Sequence, residues 1–134
     1  MADKGTCTIE WQRPSTSMRV GKLQFKWTST TTGNVVYTMT DYVAGTVDRF
    51  VTNPGATAPT ANYDITLLDE DSLDILAGLG ANRHTSNTEV VYPQGTGALG
   101  GATGGVQIDF AGILTFNVAA AGSAKNGVAT LYYH

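Results

Sequence analysis

Cysteine, histidine and charge are all scarce in this sequence. Its 134 residues include one cysteine and two histidines. The lone Cys7 cannot close an internal disulfide, and one thiol with two imidazoles cannot complete a closed zinc site. Cys7 is therefore expected as a small apolar residue in a strand. Charged residues make up 14% of the chain, against ~25% in an average soluble domain. No run of about 20 apolar residues exists, so no membrane span is expected. The opening stretch MADKGTCTIEWQRP lacks the apolar region of a secretion signal, and no Asn-x-Ser/Thr acceptor for glycosylation occurs. These absences predict folding in a reducing cytosol. No basic stretch is interleaved with aromatics, so nucleic acid is not an expected partner.

Thr, Ser, Asn and Gly take the place of the missing charge. A surface of hydroxyls and amides resists association less than a charged one, which suits a protein that works against partners. The net charge is −3, and the acids are unevenly placed. Asp64, Asp69, Glu70, Asp71 and Asp74 fall within residues 64–74 with no base among them, leaving eight bases against six acids elsewhere.

The dominant periodicity is two, which predicts strands with one wet face. Leu23, Phe25 and Trp27 alternate with Lys22, Gln24 and Lys26. Val35, Tyr37 and Met39 alternate with Val36, Thr38 and Thr40. Val47, Arg49 and Val51 are set against Asp48 and Phe50, and Tyr63, Ile65 and Leu67 against Asp64 and Thr66. Further strands are expected at CTIEWQ, TEVVYP, VQIDF, ILTFNV and GVATLYYH. TTTGN joins two strands, and NPGATAPTAN carries two prolines that a central strand excludes. Asn126-Gly127 is a turn dipeptide expected to close a last hairpin. Eight or nine short strands without repeat or linker predict one all-β domain over 1–134: an antiparallel β-sandwich, jelly-roll-like. An N-terminal arm over 1–17 and a flexible Gly-rich loop over 93–105 are expected beside it. One short helix is expected near 70–77. Asp69 or Asp71 would cap it, Asp71 and Asp74 are spaced like a capping box, and Leu73, Leu76 and Ala77 would share a face.

Chemistry-bearing motifs are thin. The acids from Asp69 do not fit a calcium loop, which wants Gly at the sixth position, here Asp74, and an acid at the twelfth. GTGALG at 95–100 matches a dinucleotide fingerprint in letters only, because GATGG follows where a helix must start. His84, in a polar loop, has no marked nucleophile. Glu89 and Asp109 are isolated in strand-like contexts and do not form an acid pair. No catalytic residue, cofactor or metal is expected, and the chain is not expected to be an enzyme. Trp11, Trp27 and the tyrosines would suit a sugar-binding face, but core and cross-strand packing is the favoured explanation. Tyr132 and Tyr133 must point to opposite faces of one strand.

The segments APTANYDITLLDEDSLDILAGLGANRHTSNTE and GILTFNVAAAGSAKNGVATLYYH resemble a type of small tailed-phage protein encoded among virion genes. Such proteins show a similar Asn-Tyr-Asp strand, an acidic turn with Gly where Ser72 stands here, and a Gly-rich segment. They close with a Lys-Asn/Thr-Gly hairpin into a Val/Tyr-rich strand. The likeness covers under half the chain. It implies a virion structural component made in the host cytoplasm. A capsid decoration (cement) protein on the head surface is favoured, with the major capsid protein and copies of itself, as dimer or trimer, as partners. A neck, tail or fibre component and a carbohydrate-binding module are the alternatives. Expected contact residues are Trp11, Arg13, Pro54, Pro59, Asp69, Glu70, Asp71 and Leu99. Ser72 in place of Gly argues for a helix first turn there, not a positive-φ turn.

Overall fold

Period-two runs fold as strands because each offers one apolar face to bury and one polar face to leave wet. The computed structural model describes residues 4–95 and 105–134. It contains β1 (Thr6–Gln12), β2 (Gly21–Thr28), β3 (Val35–Thr38), β4 (Val43–Pro54), β5 (Asp64–Leu68), β6 (Glu89–Val91), β7 (Asp109–Gly112), β8 (Thr115–Ala119) and β9 (Asn126–Tyr133). All pairings are antiparallel. The larger sheet runs β1-β2-β9-β4-β6, with β7 also on β4, and the smaller runs β3-β8-β5. From β2 to β5 successive strands alternate between the sheets, as do β7, β8 and β9. That is jelly-roll-like winding. The fold is all-β and sandwich-like, as the alternation predicts.

One core lies between the sheets. Leu23, Phe25, Phe50, Ile65, Leu67, Phe116 and Leu131 are all at most 1% exposed. Phe25 of β2 and Phe116 of β8 stack across the layers, 4.5 Å between centroids. Trp27 meets Tyr63 with tilted rings, 48° between planes and 5.8 Å between centroids. In β2, β3 and β5 the residues expected inside are inside, apart from Tyr37, which is half-buried. Tyr133 is buried and Tyr132 lies on the opposite face, half-buried.

Three local expectations are corrected. Asn126-Gly127 does not close a hairpin. It begins β9, and β8 and β9 lie in different sheets, so residues 120–125 cross between layers. Ala120, Gly122 and Ala124 take positive φ to make that crossing. In β4 the alternation slips. Val47 pairs with Tyr133 and Arg49 with Tyr132, leaving Asp48 as an extra residue in a β-bulge. Beyond it Phe50 and Thr52 face the core, while Val51 faces out.

The third correction is the helix. No helix occurs among the described residues, and 69–83 forms successive turns. Asp69 and Asp74 give their carboxylates to nearby backbone N–H groups, and such local bonds compete with helical ones. Ser72 (φ 62) and Ala77 (φ 53) sit in the left-handed region, which a right-handed helix excludes. Leu73, expected inside, is 64% exposed, whereas Ile75 and Leu76 are buried.

The first seventeen residues include β1, and residues 13–20 link it to β2. In the Gly-rich stretch, Gly95 and Val106 bond each other in both directions at 2.8 Å. Residues 96–104, most of the expected loop, lie outside the described residues.

Candidate functional site

The acidic turn is built around backbone satisfaction. Asp69 Oδ1 accepts from the N–H groups of Asp71 (2.9 Å) and Leu73 (3.0 Å). Asp74 Oδ1 accepts from Leu67 (3.0 Å) and Leu76 (3.1 Å), and its Oδ2 from Gly78 (3.0 Å). Glu70 Oε1 accepts from Ile113 N–H at 2.8 Å. Three of the four carboxylates are thereby engaged, and Asp71 alone stands exposed without an acceptor role among the described residues. The same segment closes the outer edge of β5. Ile65 N–H donates to Gly80 O and Ile75 N–H to Leu67 O, both at 2.9 Å. Asn82 N–H donates to Asp64 Oδ1 at 2.9 Å. The stretch works as an edge cover. Among the described residues, no three of His, Cys, Asp and Glu converge as a metal site would require.

A second cluster gathers at one end of the larger sheet. Trp11 Nε1 donates to Tyr133 Oη at 2.7 Å, and the Arg13 guanidinium lies 3.9 Å over the Trp11 ring. Arg49 lies 4.3 Å over Tyr132, and His134 Nδ1 meets Asp48 Oδ1 at 2.7 Å. Asp48 Oδ2 is buried without a hydrogen-bond partner among the described residues. Ser15, Arg19, Arg49, Asp48, Tyr132 and His134 border a shallow recess of about 640 Å³. These include the residue types of a Ser–His–Asp triad. However, Ser15 Oγ accepts from Met18 N–H (3.0 Å) and lies 3.2 Å from Ser17 Oγ, so its own turn occupies it. The Asp48–His134 pair escapes the sequence because its members are 86 positions apart. The one hint is the Val47–Phe50 spacing, which breaks a period of two.

The outer face of the larger sheet connects these features. Cross-strand register sets three rows: Gln12–Lys22–Tyr132–Arg49, Glu10–Gln24–Thr130–Val51–Val90, and Thr8–Lys26–Val128–Asn53. Lys22, Lys26 and Arg49 face one acid in these rows, Glu10. Lys26 Nζ bonds Glu10 Oε1 at 2.6 Å, holding the exposed carboxyl below its usual range through that bond and the lysine's charge.

The expected contact residues are scattered. Trp11 and Arg13 meet at the sheet end. Pro54 ends β4, half-buried beside Gly127. Pro59 is buried and its carbonyl accepts from Thr85 Oγ1, so it has no surface to offer a partner. Asp69, Glu70 and Asp71 lie on the β5 cover, and Leu99 lies outside the described residues. His84 Nδ1 accepts from the N–H groups of Ser86 (3.0 Å) and Asn87 (2.9 Å), a turn-forming role. Trp27 is 3% exposed, so it offers no ring face to a sugar. The fold defines a β-sandwich-like protein with an open, mixed-polarity sheet face. No protein-family model, no curated protein and no solved structure matches the chain.

Proposed function

We propose that this protein is a non-enzymatic docking module that binds through the outer face of its larger sheet. With the virion-protein resemblance of its middle and final segments, we assign it to the capsid decoration class, acting on the head surface against the major capsid protein. The observation that carries the docking reading is the three-row, five-strand face, with Lys22, Lys26 and Arg49 beside Tyr132, Val51 and Val90. Four inter-strand spacings by the eight residues of β2 give about 19 Å by about 26 Å, roughly 500 Å² in projection. A standard stable interface takes about 800 Å² from each partner. One such face holds weakly alone and gains from repetition on a symmetric shell, where a few linked contacts multiply affinity.

The test is co-sedimentation of the purified protein with undecorated heads. Saturable binding at hundreds of copies per particle is expected. Failure to pellet with heads at micromolar protein would remove the decoration assignment. A few copies per virion would move it to the neck or tail.

A further inference from the structure

The two sheets have five edge strands, β1, β6 and β7 in the larger and β3 and β5 in the smaller, and they are treated very differently. The β5 edge is closed by the 69–83 turns described above. β6 and β7, each paired with β4 alone, are three and four residues long. The β3 edge is four residues long, and Val36 N–H there donates to Lys4 O. β1 is seven residues long and pairs only with β2. Among the described residues, no backbone hydrogen bond reaches its other side. Short strands, proline, lysine and bulges are the usual means of blunting an edge. TCTIEWQ has no lysine, proline or bulge, its one charge, Glu10, is held by Lys26 of β2, and its register with β2 runs unbroken over all seven pairs.

The inner face of β1 is also incompletely covered. Cys7, Ile9 and Trp11 pair with Trp27, Phe25 and Leu23. Those partners are at most 3% exposed, whereas the three β1 side chains are only half-buried. The apolar stripe continues past the point where the opposing sheet stops shielding it.

We propose that β1 joins two copies of this chain, strand to strand and antiparallel, about a two-fold axis at Ile9. Ile9 is the middle of Thr6–Gln12, so this register overlaps the strand over its full length. Ile9 then faces Ile9, Cys7 faces Trp11, Thr8 faces Glu10 and Thr6 faces Gln12. Every apolar residue meets an apolar one, and Glu10 meets a hydroxyl, avoiding a second carboxylate. Centring the axis on Glu10 would oppose the two acids and shorten the overlap. The dimer is closed and isologous. It merges two six-stranded sheets into one sheet of twelve strands and removes the long open edge. A second copy suits the edge because the strand's pattern is its own complement. This inference stands apart from the virion reading: it concerns β1's edge, and docking concerns the sheet's outer face.

Sedimentation velocity of the full chain, from about 1 µM to about 100 µM, should show a reversible monomer–dimer equilibrium. The register is tested by Ile9→Cys in a Cys7→Ser background. Directly opposed residues in an antiparallel pair lie about 4.5–5.5 Å apart at Cα, within disulfide reach. Mild oxidation should link that variant as a dimer, and Thr6→Cys in the same background should not link. Thr8→Glu separates dimer from fold. Lys26 stands opposite Thr8 on β2, so a glutamate there does not harm the monomer. It does face Glu10 of the other copy twice, and dissociation should become about tenfold easier. Thr8→Lys should move dissociation the other way. A chain that stays monomeric to about 100 µM overturns the proposal. So does a dimer indifferent to Thr8→Glu, or one linked as readily through Thr6→Cys as through Ile9→Cys.

Discussion

The Asp74 carboxylate accepts three backbone hydrogen bonds and that of Asp69 two, while that of Asp71, between them in sequence, accepts none among the described residues. The three carboxylates look alike in the sequence, so their unequal roles give an ordered prediction. Removing an acceptor from paired N–H groups costs most where several are left unsatisfied. Asp74→Ala should destabilise by about 2–3 kcal/mol and Asp69→Ala by about 1 kcal/mol. Asp71→Ala should stay within about 0.5 kcal/mol. Urea unfolding midpoints measure all three, and an Asp71→Ala loss equal to that of Asp74→Ala would refute the assignment. Cys7 gives a second residue-scale prediction. Burial pushes its thiol up to about 12, and the thiolate is the reactive form. Alkylation at pH 8 should be at least about tenfold slower in the native protein than in urea-unfolded chain. Equal rates would show that the environment of Cys7 is not desolvated. The types of these residues were legible in the sequence. Their hydrogen-bond partners were not, because short polar side chains satisfy caps, turns and sheet edges with the same atoms.

At the scale of elements, strand identity was readable wherever alternation was regular. β2, β3 and β5 follow their apolar periods because one pleated face is buried and the other is not. β4 is read wrongly past Val47 because a bulge adds one residue and flips the phase, and no composition marks it. The Asn126-Gly127 dipeptide misleads for a different reason. Its turn chemistry is local, whereas the sheet a strand joins is decided by the whole core. The acidic segment misleads because capping geometry at a helix start and Asx turns along a strand edge use the same residues. Gly80 shows how closely that segment seats. Its carbonyl accepts from Ile65 N–H, and a Cβ at this position would collide with the Ile65 carbonyl oxygen. Gly80→Ala should therefore lift the cover from β5 and cost about 2 kcal/mol. Hydrogen exchange should show faster exchange at Ile65 N–H while the β2 and β9 amides stay protected. Unchanged protection at Ile65 would mean that the segment is not seated as described.

The whole molecule separates its charge by face. Four carboxylates sit in the 69–74 turn at the edge of the smaller sheet, whereas Lys22, Lys26 and Arg49 lie on the outer face of the larger one. The net charge of −3 conceals this division, because a sum over the chain carries no information about which side a residue faces. It became visible only once the register was known. A docking face with bases that form no ion pair among the described residues binds an acidic surface partly through charge, and that attraction is largely screened beyond about 8 Å at physiological salt. Of the three bases, Lys26 is tied to Glu10 at 2.6 Å, leaving Lys22 and Arg49, neighbours of Tyr132 on either side, to meet a partner. The double variant Lys22→Glu/Arg49→Glu should keep its far-UV circular dichroism, since both side chains point away from the core. It should bind undecorated heads at least about tenfold more weakly near 0.15 M salt. The wild-type protein should also lose affinity as salt is raised toward about 1 M, and the double variant should lose less, having fewer charges left to screen. Equal binding by the two proteins at low salt would take the outer face out of the interface and return the search to the acidic turn and the loops.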